Sequence, residues 1–266
     1  MSSAPTISNS IKYTVAVASG KGGVGKSTVA VNLAVALAKQ GHAVGLADAD
    51  ILGPSIGKMV GVEKIDQRTQ SLPIEKYGIK IMSSAFISVP GQANIMRGPM
   101  VGKYVVAYIT QIPWGQLDFL VVDLPPGTGD AQLSLCQEVP PTGALLVTMP
   151  QDVSLEIVRR GAQMFEQLKV PLLGVVENMS YFRGDDGKEY AIFGSGGGAE
   201  CAEEYGIPLL AKLAIVPQVA TQGDAGDPIV HSHPDSEMAK QYLALAEKVA
   251  ERCKGVKGVE LPGLVL

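Results

Sequence analysis

The chain has 266 residues, 46% of them hydrophobic and 18% charged, with a formal net charge of −4. That size suits a large α/β core, and the acidic balance gives no electrostatic footprint for nucleic acid. No run of about 18 uninterrupted apolar residues calls for a membrane span, and the three scattered cysteines, Cys136, Cys201 and Cys253, do not form a disulfide framework.

Residues 1–10 read as a flexible polar lead without the basic and apolar regions of a secretory signal, so a cytoplasmic location is expected. An organelle stroma or matrix stays open if a transit segment was removed. Tyr13–Ala18 is the first strand, Ser27–Gln40 a helix stopped by Gly41, and Ala43–Ala47 the second strand. Residues 53–78 are rich in Gly, Pro and charge and read as loops with a short helix. Ile79–Met82, Leu117–Val122, Ala144–Thr148, Leu172–Val176 and Leu209–Ile215 are further strands. Helices are expected over Pro99–Ile112, Ala131–Glu138, Val153–Leu168, Gly196–Tyr205 and Ser236–Cys253. Tyr181–Phe193 looks like a polar hairpin turning at Asp186-Gly187. Strands alternating with helices predict an α/β fold, a mostly parallel twisted sheet with helices on both faces. One domain over 11–254 and a tail over 255–266 are the economical division.

Between the first strand and the first helix lies Gly20-Lys21-Gly22-Gly23-Val24-Gly25-Lys26-Ser27-Thr28. Its glycines let backbone N–H groups turn inward around phosphate oxygens. Lys26 can reach β- and γ-phosphates, the Ser27 hydroxyl can ligate Mg²⁺, and the following helix aims its N-terminus at the same anion. Asp123 ends an apolar strand at the edge where phosphates sit, which makes it the expected Mg²⁺ partner. Leu124-Pro125-Pro126-Gly127-Thr128-Gly129-Asp130 then reads as a switch segment, with the Gly127 N–H placed to sense a γ-phosphate. Asp48 and Asp50 stand at i and i+2 and are expected on one side of their strand. Asp50 is assigned to the attacking water and Asp48 to support, with the reverse order open.

The loop at 20–28 resembles the deviant Walker A box of MinD/ParA/NifH-class ATPases. In that class the residue matching Lys21 reaches across a face-to-face homodimer to the partner's nucleotide, so the resemblance implies an ATP-gated dimer. The rest of the chain is similar to Mrp/ApbC-type iron–sulfur carrier ATPases. The matching segments include Asp48-Ala49-Asp50-Ile51-Leu52-Gly53-Pro54-Ser55, Met96-Arg97-Gly98-Pro99-Met100 and residues 123–130. Pro150-Gln151-Asp152-Val153, Glu177-Asn178-Met179-Ser180-Tyr181-Phe182 and Ile192-Phe193-Gly194-Ser195-Gly196-Gly197-Gly198 extend the match to residues 12–250. This resemblance implies an ATP hydrolase using ATP and Mg²⁺, serving iron–sulfur client or assembly proteins. It also implies that the Asn178 amide reads adenine, with Pro217 beside the base. Neither nucleic acid nor membrane is an expected partner.

One departure bears on the cargo. Cluster-carrying members have a Cys-x-x-Cys pair soon after the Asn-Met-Ser-Tyr-Phe segment, and two subunits share a bridging [4Fe–4S] cluster. Residues 182–190 here read Phe-Arg-Gly-Asp-Asp-Gly-Lys-Glu-Tyr and hold no cysteine, although clusters need thiolate ligands. Cys136 reads as a buried helix cysteine and Cys201 as a weak ligand candidate. Cys253 reads as surface-exposed or packed, and His231-Ser232-His233 as a solvated loop. An ATP-switched scaffold or adaptor without a cluster, like ParA or MinD, is the alternative.

Overall fold

The computed structural model describes residues 10–51, 53–62, 72–86 and 98–256. The lead over 1–9, residues 257–266 and the Met96-Arg97 part of one motif lie outside them. In chain order the elements are β1 (Ser10–Ser19), α1 (Lys26–Lys39), β2 (Val44–Asp48), α2 (Ile56–Met59), β3 (Ile74–Lys76) and β4 (Ile79–Ser83). Then come α3 (Gly98–Gln111), β5 (Gln116–Asp123), α4 (Asp130–Glu138), β6 (Gly143–Thr148), α5 (Asp152–Gln167) and β7 (Leu172–Glu177). A hairpin of β8 (Phe182–Arg183) and β9 (Glu189–Tyr190) leads to α6 (Gly197–Glu204), β10 (Leu209–Lys212), α7 (Pro217–Ala225), α8 (Ile229–Ser232) and α9 (Glu237–Gly255).

Eight strands form one sheet in the order β10-β7-β6-β1-β5-β2-β4-β3. Every neighbouring pair is parallel except β3–β4. Helices flank the sheet, as the alternation of apolar runs predicts. Because β1 pairs with both β5 and β6, the loop leaving it opens at the centre of the sheet's C-terminal edge. The ladder places Asp48 beside Asp123, and Asp48 also beside Ser83.

The core is apolar strand against helix. Val15, Val17, Leu46, Val121 and Leu145 are fully buried. Every residue of α1 from Val29 to Leu37 is buried, because α1 is sandwiched between the sheet, α8 and α9. A helix covered on all sides has no polar face; the one polar side chain in this stretch, Asn32, is satisfied internally by the Thr28 carbonyl and the Val230 N–H. Residues 53–78 hold the expected short helix, α2, and also β3, which the sequence reading did not anticipate. Its Pro73 entry and its antiparallel edge position hide a three-residue strand. α7 was likewise missed: Pro217 starts it at the first helical turn, where proline is tolerated. No described helix is long and apolar enough to cross a membrane.

Candidate functional site

The loop at 20–25 leaves β1 and turns into α1 through Gly25, which holds φ +81. Only glycine adopts that left-handed backbone freely, and a β-carbon there would also collide with the Asn178 amide. Around Gly22 and Gly23 the space is open to a distance of 4 Å from where a β-carbon would stand. The result is a shallow backbone cradle at a helix N-terminus, the geometry that receives phosphates.

Lys26 and Ser27 open α1 and converge on the end of β5. Lys26 Nζ lies 2.5 Å from Asp123 Oδ1, and Ser27 Oγ donates to Asp123 Oδ2 at 2.5 Å. Asp123 is fully buried. Burial pushes its carboxyl above the usual range, against the pull of Lys26 and the Ser27 hydroxyl. The hydroxyl and carboxyl oxygens gathered here are the hard donors that suit a small divalent cation. The three side chains picked out by spacing, Lys26, Ser27 and Asp123, thus stand in contact at the end of β5.

Asp48 and Asp50 part company. The reading that both point one way requires the strand to continue through Asp50, but β2 ends at Asp48. Asp48 is fully buried and turned inward. Its Oδ2 accepts from Ser83 Oγ at 2.8 Å and from the Ile56 N–H at 3.3 Å, and its Oδ1 accepts from the Asp50 N–H at 3.2 Å. Burial, with Asp123 nearby, raises its carboxyl to about 7. Asp50 is half-buried, and its Oδ1 receives the Gly53 N–H at 3.2 Å. Ser83 was not singled out from the sequence; its only signal is its place as last residue of the neighbouring strand.

The switch segment is held in one arrangement. The Gly127 N–H donates to the Ser19 carbonyl at 3.0 Å, so it is engaged by β1 rather than facing the cradle. Gln132, also missed, is fully buried and donates through Nε2 to the Pro125 carbonyl. Asn178 is buried, and its Nδ2 donates to the Val24 carbonyl at 2.8 Å. Pro217 is exposed at the start of α7. Lys21 is half-buried, and its ammonium has no partner among the described residues.

The cysteines lie on three separate helices: Cys136 on α4, Cys201 on α6 and Cys253 on α9. All three are buried, which corrects the surface alternative for Cys253. Burial raises their thiols to about 12, 11 and 12. Among the described residues no group of three or more His, Cys, Asp or Glu could hold a metal. His231 is not in a loop but on α8, 2.6 Å from Asp227 and with its ring centroid 4.4 Å from that of Tyr77.

Residues 10–250 match the ParA family model described as NUBPL iron-transfer P-loop NTPase. The chain belongs to this family. Among similar proteins, an iron-sulfur cluster carrier protein from Aquifex aeolicus is 49% identical over 248 residues, 91% of this chain and 68% of the relative. An iron-sulfur cluster transfer protein NUBPL from Dictyostelium discoideum is 44% identical over 256 residues, 94% of this chain and 79% of the relative. The solved nucleotide-binding protein from Archaeoglobus fulgidus, in complex with ADP, is 36% identical with a TM-score of 0.73, covering 87% of this chain and 92% of that one. The MinD protein of Pyrococcus horikoshii, at 22% identity and TM-score 0.73 over 94% of this chain and 100% of that one, shares the fold.

Proposed function

We propose that the chain is a Mg²⁺-dependent ATPase that works as a homodimer in iron–sulfur cluster assembly or transfer to client proteins. The convergence of Lys26 and Ser27 on buried Asp123, beneath a glycine cradle, carries the nucleotide half of this reading. The phosphates bind the backbone amides of residues 20–28, and Lys26 swings from Asp123 onto them. Ser27 and Asp123 would hold Mg²⁺, which would supply positive charge against the phosphates. Asp50 orients the attacking water, and Asp48 fixes Asp50 through its backbone N–H. The Gly127 N–H leaves the Ser19 carbonyl for the γ-phosphate, which moves the switch segment. Asn178 reads adenine, with Pro217 beside the base, and Lys21 serves the partner's nucleotide.

The cluster half rests on the names of relatives such as those from Aquifex aeolicus and Dictyostelium discoideum. Cluster ligands would have to come from outside residues 182–190. A second reading, an ATP-switched adaptor without a cluster, is favoured by the burial of all three thiols on separate helices. Anaerobic reconstitution with iron and sulfide separates the two. Stoichiometric iron and sulfide with a cluster absorbance band supports the carrier; intact ATPase with no uptake supports the adaptor.

A further inference from the structure

The turn Glu177-Asn178-Met179-Ser180 after β7 is pinned from several sides. Met179 holds φ +54, a left-handed conformation uncommon outside glycine. Backbone bonds brace it: Asn178 N–H to the Thr148 carbonyl at 2.8 Å, Ser180 N–H to Leu213 at 2.8 Å, and Leu213 N–H to Glu177 at 2.9 Å. On one side Asn178 Nδ2 reaches the phosphate loop at Val24. On the other side is the Glu177 carboxyl, which is 1% exposed and unused by the chemistry proposed above.

Glu177 Oε1 accepts from Ser180 Oγ at 2.5 Å, and Oε2 accepts from the Gly198 N–H at 2.6 Å. No lysine or arginine among the described residues pairs with it. Its compensation comes from the hydroxyl and from the first turn of α6, whose free N–H groups and dipole favour an acid. The approach is close: a β-carbon on Gly198 would stand 2.7 Å from Glu177 Cβ and 2.8 Å from Oε2. Glycine at 198 is what this contact requires. The hairpin β8–β9, with Phe182, Tyr190 and Ile192 exposed, lies in the chain between the turn and α6.

We propose that Glu177 is a positioning residue: it locks the 177–180 turn to the N-terminus of α6 and so holds Asn178 against the phosphate loop. A partner that displaces the hairpin or α6 would then be felt at the nucleotide site through this clamp. The inference rests on the nucleotide reading above and adds the route by which that site is coupled to the exposed hairpin.

A double-mutant cycle tests it. Dissociation constants for ADP and a non-hydrolysable ATP analogue, both with Mg²⁺, are measured for wild type, Glu177→Gln, Asn178→Ala and the double variant. Each single change is expected to weaken binding about fivefold or more, with the double no weaker than the weaker single, as for residues in one network. Additive losses would make Glu177 a merely structural residue and overturn the inference, as would unchanged binding by Glu177→Gln. Wild type that binds neither nucleotide would instead sink the nucleotide reading first. If Glu177→Gln does not fold by circular dichroism, Gly198→Ala replaces it in the same cycle and is judged by the same outcomes.

Discussion

Lys26 Nζ and Asp123 Oδ1 meet at 2.5 Å, with the two side chains only 6% and 0% exposed. Two charges so far from water are costly to desolvate, and their attraction repays this only while both are present. Removing one leaves the other buried and unpaired. In the proposed function a triphosphate entering the cradle offers Lys26 a second anion, and the pair keeps the lysine desolvated and close to it.

Lys26→Ala should therefore cost both activity and stability. ATP hydrolysis should fall about 100-fold or more, the scale for losing a group that neutralises transition-state charge. Urea unfolding should show a loss of roughly 3 kcal/mol, from the unpaired Asp123. Steady-state phosphate release and chemical denaturation check the two separately. Hydrolysis at the wild-type rate would contradict the assignment of the loop.

Asp48 gives a pH dependence with a definite sign. Its carboxyl is raised from 3.8 to about 7 by burial and by Asp123. The folded state thus keeps this proton over a range in which the unfolded chain has released it. The stabilisation is complete below about pH 4 and is lost as pH rises through about 7. Compared with Asp48→Asn, wild type should lose up to roughly 1.4 kcal/mol per pH unit across that interval. Denaturation curves for both proteins at several pH values check this; parallel curves would remove Asp48 as the titrating group.

The parallel sheet was readable because its strands are buried on both faces and appear as short continuous apolar runs, Leu117–Val122 and Ala144–Thr148 among them. The loop at 20–28 was readable because its chemistry is local: glycines, a lysine and a serine at fixed spacing. The shared direction expected of Asp48 and Asp50 failed for the opposite reason. Whether a carboxyl faces the ligand or the core depends on where the strand ends and on what the next strand contributes, here Ser83 from thirty-five residues away. The Glu177–Gly198 contact is hidden in the same way, since its partners stand twenty-one positions apart, with the hairpin between them. β3 and α8 escaped because three- and four-residue elements carry too little periodicity to register.

The thiols should be inert in the folded protein. A thiolate, not a thiol, attacks a disulfide reagent, and burial holds Cys136, Cys201 and Cys253 at about 12, 11 and 12. At pH 8 an aromatic disulfide reagent should label none of them within the time that labels all three in guanidinium. One fast cysteine in native protein would identify the thiol available to a cluster. It would also shift the balance from the adaptor back towards the carrier.

Lys21 has no partner for its ammonium among the described residues, whereas Lys26 is fully engaged. If Lys21 completes the partner's site, each catalytic centre takes its Asp50 from one subunit and its Lys21 from the other. Lys21→Ala and Asp50→Asn proteins should each be inactive as homodimers. In a mixed dimer one centre then receives both substitutions and the other receives neither. Equal mixing makes half the dimers mixed, so about a quarter of wild-type hydrolysis should return, as two-fold symmetry requires. If Lys21 acts within its own subunit, both centres of the mixed dimer stay defective and mixing restores nothing. The recovered fraction therefore decides between a lysine that acts across the dimer and one that acts at home.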